Sequence, residues 1–118
     1  ASLKQLTKGW EPHKAQMDVV SMKFSKPVIF TEYGYRSIDG CAVKPWDYSD
    51  NGKHNEKAQV LALEALYHVF WKDENYRGGF LWKWYPDHKN AGGSSDKMFT
   101  VQNKRAEKTV KKVYSRKH

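Results

Sequence analysis

The 118-residue chain has a single cysteine, Cys41, which excludes an internal disulfide framework and a cysteine-based zinc cluster. No apolar run approaches the ~20 residues that cross a bilayer, so no membrane span is expected. The opening ASLKQLTKGW is not a basic-then-apolar leader. Histidines at 13, 54, 68, 88 and 118 show no ligand-like spacing, and HExxH, GxSxG, Walker and dinucleotide-binding sequences are all missing. There is no N-x-[ST] sequon. Gly92-Gly93-Ser94-Ser95 lacks the preceding strand and following GK[ST] of a phosphate loop, so it reads as a turn. Neither a metal nor a cofactor is expected.

What is present reads as one soluble, globular domain over residues 1–118, with 39% apolar and 29% charged residues. Aromatic content is high: five Trp, seven Tyr and five Phe. That much ring surface makes either a heavy core or a binding surface for flat partners. The net charge of +8 is concentrated between Lys89 and His118, where nine Lys/Arg meet only Asp96 and Glu107. The solvated face of a terminal helix accounts for this better than a nucleic-acid partner. Single-strand binders interleave aromatics with their charges, and this segment does not.

Along the chain, the first ten residues read as a loop or frayed helix start, and Pro12 as part of a first helical turn. Met17, Val20 and Phe24 make a buried stripe of that helix, which must stop before Lys26-Pro27. Val28 to Thr31 reads as a strand covered on both faces, as in a parallel sheet. Residues 36–55 form a loop. A strong helix over Glu56 to Lys72 follows, with Asn55 as its cap and Val60, Leu63, Tyr67 and Phe70 on one face. His68 within it is expected packed or half-exposed. Gly78-Gly79 breaks the chain before a second strand, Phe80 to Tyr85, and Asn103 to Ser115 closes as a helix. Such alternation indicates an α/β fold with a parallel sheet. Two strands cannot complete one, so the chain reads as part of a larger fold, near its end.

Two features carry chemistry. Glu32 stands at the carboxyl end of the first strand, where α/β folds place active sites. Tyr33, Tyr35 and Arg36 follow it, hydroxyls and a guanidinium able to orient or ionise a carboxylate. The competing reading is a structural carboxylate in a salt bridge. The second feature is Phe80-Leu81-Trp82-Lys83-Trp84-Tyr85, in which Phe80, Trp82 and Trp84 share a strand face. Such rings can stack on sugars, and Asp87 just beyond can bond hydroxyls. Core filling competes, and fits Phe80 better than Trp84.

The segment KPVIFTEYGYRS resembles the seventh strand of clan A glycoside hydrolase barrels, in particular the mannanase-like family 113. NEKAQVLALEALYHVFW resembles the next helix, YRGGFLWKWYPD the eighth strand with its tryptophan, and NKRAEKTVKKVYS the closing helix. The resemblance implies the C-terminal part of a (β/α)8 barrel, about its last two βα units plus a preceding helix. A whole barrel takes ~250 residues, so the chain is incomplete alone. It implies that Glu32 is the nucleophile of a retaining enzyme acting on a β-linked, mannan-like substrate. It implies that Trp84 or Trp82, with Trp84 preferred, stacks under the sugar. Arg36 departs from the resemblance at a position where proline is common. Tyr35, and Trp46 in the 36–55 loop, are further candidates for substrate binding. The acid/base glutamate would come from outside the chain, because Glu11, Glu56, Glu64, Glu74 and Glu107 fall on helices or their flanks. The missing barrel portion, or self-association, is the expected partner, and secretion or the cell envelope the expected location. The alternative is a non-catalytic carbohydrate-binding module built on the tryptophans.

Overall fold

The computed structural model describes residues 1–49 and 51–116. Asp50, Lys117 and His118 lie outside the described residues, and with them part of the 36–55 loop and of the basic segment. Chain order is α1 (Leu3–Phe24), β1 (Val28–Tyr33), α2 (Glu56–Phe70), β2 (Tyr76–Leu81), a short 3-10 turn (His88–Asn90) and α3 (Arg105–Tyr114). β1 and β2 are parallel neighbours with α2 as their crossover, the expected α/β arrangement.

The first helix starts earlier than hydrophobic spacing suggests. Ser2 Oγ accepts from the Gln5 N–H at 3.2 Å, and Gln5 Oε1 accepts from the Ser2 N–H at 2.8 Å. This reciprocal cap satisfies two donors that a helix start otherwise leaves orphaned. Pro12 therefore lies inside α1, not in its first turn. The helix ends at Ser25, whose left-handed φ of 52° turns the chain before Pro27. Of the expected stripe only Met17 meets the core; Val20 and Phe24 are exposed, as are Val19 and Met22.

α2 is capped as read: Asn55 Oδ1 accepts from the Ala58 N–H at 2.9 Å. Leu63 and Phe70 on its inner face are fully buried, and burial of such side chains stabilises by about 1.5–3 kcal/mol each. Phe30 of β1 and Trp10 of α1 both meet Phe70 edge-on, with centroids 5.1 Å apart. His68 is exposed rather than packed. On the far side Ala106, Val110 and Val113 of α3 close the core. The exposed Lys108, Lys111 and Lys112 form the solvated face expected of this helix, whereas Lys104 is buried.

β2 differs most from expectation. It begins at Tyr76 and ends at Leu81, so Gly78-Gly79 lies inside the strand. Gly79 is opposite Phe30 in the register. A Cβ on it would fall within 2.8 Å of the Phe30 carbonyl oxygen, so Gly79 permits close strand approach instead of breaking the chain, while Gly78 takes a φ of 86° that favours glycine. Trp82 and Trp84 lie beyond the strand, and strand alternation does not apply to them. Phe80 is exposed, not core-filling. The cover expected on both faces of β1 is present on one: Val28 and Phe30 pack on the core, while Ile29 is half exposed.

Candidate active site

Glu32 is the residue before the last of β1, and the residues around it explain why it faces outward. Tyr33 turns into the core, where its hydroxyl meets Tyr67 at 2.9 Å and Tyr114 at 2.5 Å. Burial, with the neighbouring hydroxyls, pushes the Tyr33 phenol well above its ordinary range, so it is neutral. Phe30 and Tyr33 both face the core although three positions apart, because the strand register shifts between them; this irregularity leaves Glu32 outside the core, and it is exposed. Gly34 follows because the Trp82 backbone passes directly over it; a Cβ there would overlap the Trp82 carbonyl oxygen. The Trp82 N–H donates to the Tyr33 carbonyl at 2.7 Å. The strand ends of β1 and β2 are thereby locked together, with Glu32 and Trp82 beside one another.

Both open into a cleft of about 430 Å³. Its other walls are mostly aromatic: Tyr35, Trp46, Tyr48 and Phe99, with Trp10 and Leu66 below. Among the described residues that line it, Glu32 is the one carboxylate. An acceptor amid flat rings suits a polyhydroxylated ring compound, whose apolar faces stack while its hydroxyls bond the carboxylate.

The rim is held by a buried polar network. Loop 36–55 is closed at its base by the Asp39 N–H to the Lys53 carbonyl and the Asn55 N–H to the Ser37 carbonyl, each 2.8 Å. Ser37 Oγ donates to the Asp96 carbonyl at 2.7 Å. Lys104 Nζ, with no side-chain exposure, donates to Asp96 Oδ1 at 2.8 Å, the Met98 carbonyl at 2.9 Å and Ser37 Oγ at 3.1 Å. Burial pulls the Lys104 ammonium below its ordinary range against the attraction of Asp96. Gln59 Nε2 of α2 reaches the Tyr35 carbonyl at 2.9 Å and the Phe99 carbonyl at 3.1 Å. Arg36 donates to the carbonyls of Lys97 at 3.2 Å and Asp47 at 3.3 Å. The loops after β1 and β2 thus form one rigid rim.

Of the residues singled out in the sequence, the fold brings Glu32, Tyr35, Trp46 and Trp82 to this cleft. Tyr35 is buried in its wall, and burial pushes its hydroxyl well above the ordinary phenol range. Two candidates lie elsewhere. Trp84, preferred over Trp82 in the sequence, stacks on His88 at 5.7 Å and lines a separate groove with Phe80, Val110 and Tyr114. Asp87 is exposed and accepts from Asn90 at 2.8 Å outside the cleft. The reason is that β2 ends at Leu81, so the period of two that paired the tryptophans no longer holds. Tyr48, Phe99, Arg36 and Lys104 carry no local signal of their cleft roles, because these depend on two loops distant in sequence. Other glutamates serve the scaffold: Glu56 Oε1 accepts from the Arg105 N–H at 2.7 Å, and Glu107 Oε1 from the Asn103 N–H at 3.1 Å.

A parallel βαβ unit whose strand ends open onto a carboxylate and a ring-lined cleft is an α/β protein with its binding face at the carboxyl ends of the strands. The chain belongs to glycoside hydrolase family 113, whose sequence profile matches residues 1–104. No match among curated proteins reaches significance. Among solved structures, the GH113 β-mannanase AaManA of Alicyclobacillus acidocaldarius is 27% identical with a TM-score of 0.79, over 92% of this chain and 35% of that one. A GH113 β-1,4-mannanase is 25% identical with a TM-score of 0.81, over 93% of this chain and 36% of that one. A complex of a GH113 β-1,4-mannanase, 24% identical with a TM-score of 0.82, shares the fold. The chain spans about 35% of the length of the first of these structures.

Proposed function

We propose that this chain is the portion of a (β/α)8 β-mannan hydrolase that carries its nucleophile, Glu32, and the aromatic half of its substrate cleft. One observation carries the reading: Glu32 lies at the carboxyl end of a parallel strand, one residue before its last, and among the described residues is the single carboxylate in a cleft walled by Trp82, Trp46 and Tyr35. Family membership and the β-mannanase neighbours support the substrate class. Retaining hydrolysis needs two carboxyl groups about 5–5.5 Å apart. Glu32 attacks the anomeric carbon as a carboxylate and forms the glycosyl ester. The second group, supplied by barrel sequence outside this chain, protonates the departing glycosidic oxygen. It then takes a proton from the water that cleaves the ester. Trp82 stacks beneath the sugar that is attacked.

The test is Glu32→Gln in the complete enzyme. Turnover of β-1,4-mannan should fall by several orders of magnitude with the fold intact. Retention of more than about a tenth of the wild-type rate would refute the assignment, because loss of a covalent nucleophile costs far more than ~1.4 kcal/mol. Glu32→Gln also separates this reading from a carbohydrate-binding module, whose affinity the substitution would leave near wild type.

A further inference from the structure

Arg36 joins two parts of the cleft that are remote in sequence, and its surroundings specify what it does. The residue is 6% exposed. Its guanidinium donates Nη1–H to the Asp47 carbonyl and Nε–H to the Lys97 carbonyl. Asp47 lies between Trp46 and Tyr48, two rings of the cleft, and Lys97 lies two residues before a third, Phe99. Tyr48 and Phe99 meet across the junction with centroids 5.3 Å apart. Trp46 and Tyr48 are 71% and 59% exposed, so their own side-chain packing does little to hold them. The 36–55 segment between them and the strand has no helix or strand of its own. A platform of exposed rings on such a loop binds well only if its backbone is fixed in advance, since ordering it on binding would cost affinity. A planar fork with several donors can grip two carbonyls at once; a lysine is a single point donor.

We infer that Arg36 is a positioning residue: it pre-orders Trp46 and Tyr48 as a second stacking platform, which holds the part of a mannan chain beyond the sugar attacked by Glu32. The inference rests on the proposed hydrolase reading and adds to it a dependence on substrate length. Short substrates held at Trp82 alone gain little from the platform. Longer ones reach it and gain affinity.

The experiment measures KM and kcat of the complete enzyme on β-1,4-mannotriose and β-1,4-mannohexaose for wild type, Arg36→Ala, Arg36→Lys, Trp46→Ala and the two double variants. Arg36→Ala should raise KM for the hexaose roughly tenfold, the effect of one lost stacking contact, with a much smaller change for the triose and in kcat. Arg36→Lys should fall between. Once Trp46 is Ala, either Arg36 substitution should raise KM for the hexaose by less than it does with Trp46 in place, because the two act through one platform of which only Tyr48 then remains. Proportional losses on both substrates, or additive effects with Trp46→Ala, would mean that Arg36 serves only the fold, and would overturn the inference. If Arg36→Ala does not fold, Arg36→Lys decides by the same cycle. A wild-type enzyme that cleaves neither oligosaccharide overturns the hydrolase reading itself. Cleavage with KM for the hexaose unchanged in the Arg36 variants overturns only the platform.

Discussion

Trp82 and Trp84 are two positions apart in sequence and belong to different surfaces. Trp82, 37% exposed, shares the cleft with Glu32. Lys83 Nζ sits 5.4 Å from its ring centroid, so a sugar stacking there, as proposed, would take the other ring face or displace the ammonium. Trp84 instead stacks on His88, whose Nε2 lies 3.3 Å from Glu107 of α3. The two tryptophans should therefore separate cleanly by mutation. Trp82→Ala should weaken mannan-oligosaccharide binding by about 1–3 kcal/mol, the scale of ring stacking, with little change in melting temperature. Trp84→Ala should do the reverse. Calorimetric titration with mannohexaose, alongside thermal unfolding of each variant, checks this. Equal losses of affinity in both would undo the assignment of Trp82. The place of Glu32 near the carboxyl end of β1 was legible in the sequence, because a carboxylate after a short apolar run marks a strand end. The choice between the tryptophans was not, because it turns on where β2 stops.

At the scale of elements, the parts written in local chemistry were legible. α2 has an Asn cap and a clear apolar face; α3 has Ala106, Val110 and Val113 at helical spacing. β2 was misplaced because Gly78 and Gly79 read as a break, while Gly79 answers the approach of Phe30 across the sheet and Gly78 a positive φ within the strand. The start of α1 was readable from Ser2 and Gln5 at cap spacing, a signal independent of hydrophobic pattern. The rim network had no such signal, since Lys104 and Asp96 look like two more surface charges. Their pairing makes a prediction about pH. Burial alone would raise the Asp96 carboxyl, but the Lys104 ammonium and the Met98 N–H outweigh it and hold it below the ordinary range. The native pKa is thus below the unfolded value of ~3.9. The contribution of Asp96 to stability is complete above that value and is lost as pH falls through the native one. Asp96→Asn should destabilise the protein at pH 7 by about 1.5–3 kcal/mol, the scale of a hydrogen bond to a charged group, since the ammonium loses its counter-charge but keeps the Ser37 hydroxyl and the Met98 carbonyl as acceptors. The gap from wild type should narrow as acid protonates Asp96. Urea midpoints across the acid range measure it. A gap that stays constant with pH would show that the pair does not stabilise through its charge.

For the whole molecule, the surfaces left open describe what should cover them. Among the described residues each strand has one partner, so both outer edges of the two-stranded sheet present unpaired backbone groups. Ile29 and Phe80 are 51% and 67% exposed on those strands, and Val19, Val20, Met22 and Phe24 are exposed on α1. A groove of about 580 Å³ runs from Gly79, Phe80 and Leu81 to Val110 and Tyr114, with Trp84 at its side. Surfaces of this kind drive association when nothing covers them. The matched structures are nearly three times as long as the region they share with this chain, and in our reading the rest of the barrel supplies the cover. Residues 1–118 produced alone should therefore self-associate or aggregate at micromolar concentration, and they should not hydrolyse mannan, because the proposed mechanism takes its acid/base carboxyl from the rest of the barrel. Adding the complementary barrel portion in trans should shift the chain to a defined complex and raise its unfolding temperature. Sedimentation, thermal unfolding and reducing-sugar release from mannan test this together. A monodisperse, cooperatively unfolding monomer would refute the incomplete-barrel reading. Mannan hydrolysis by that monomer would further place both catalytic carboxyl groups within this chain.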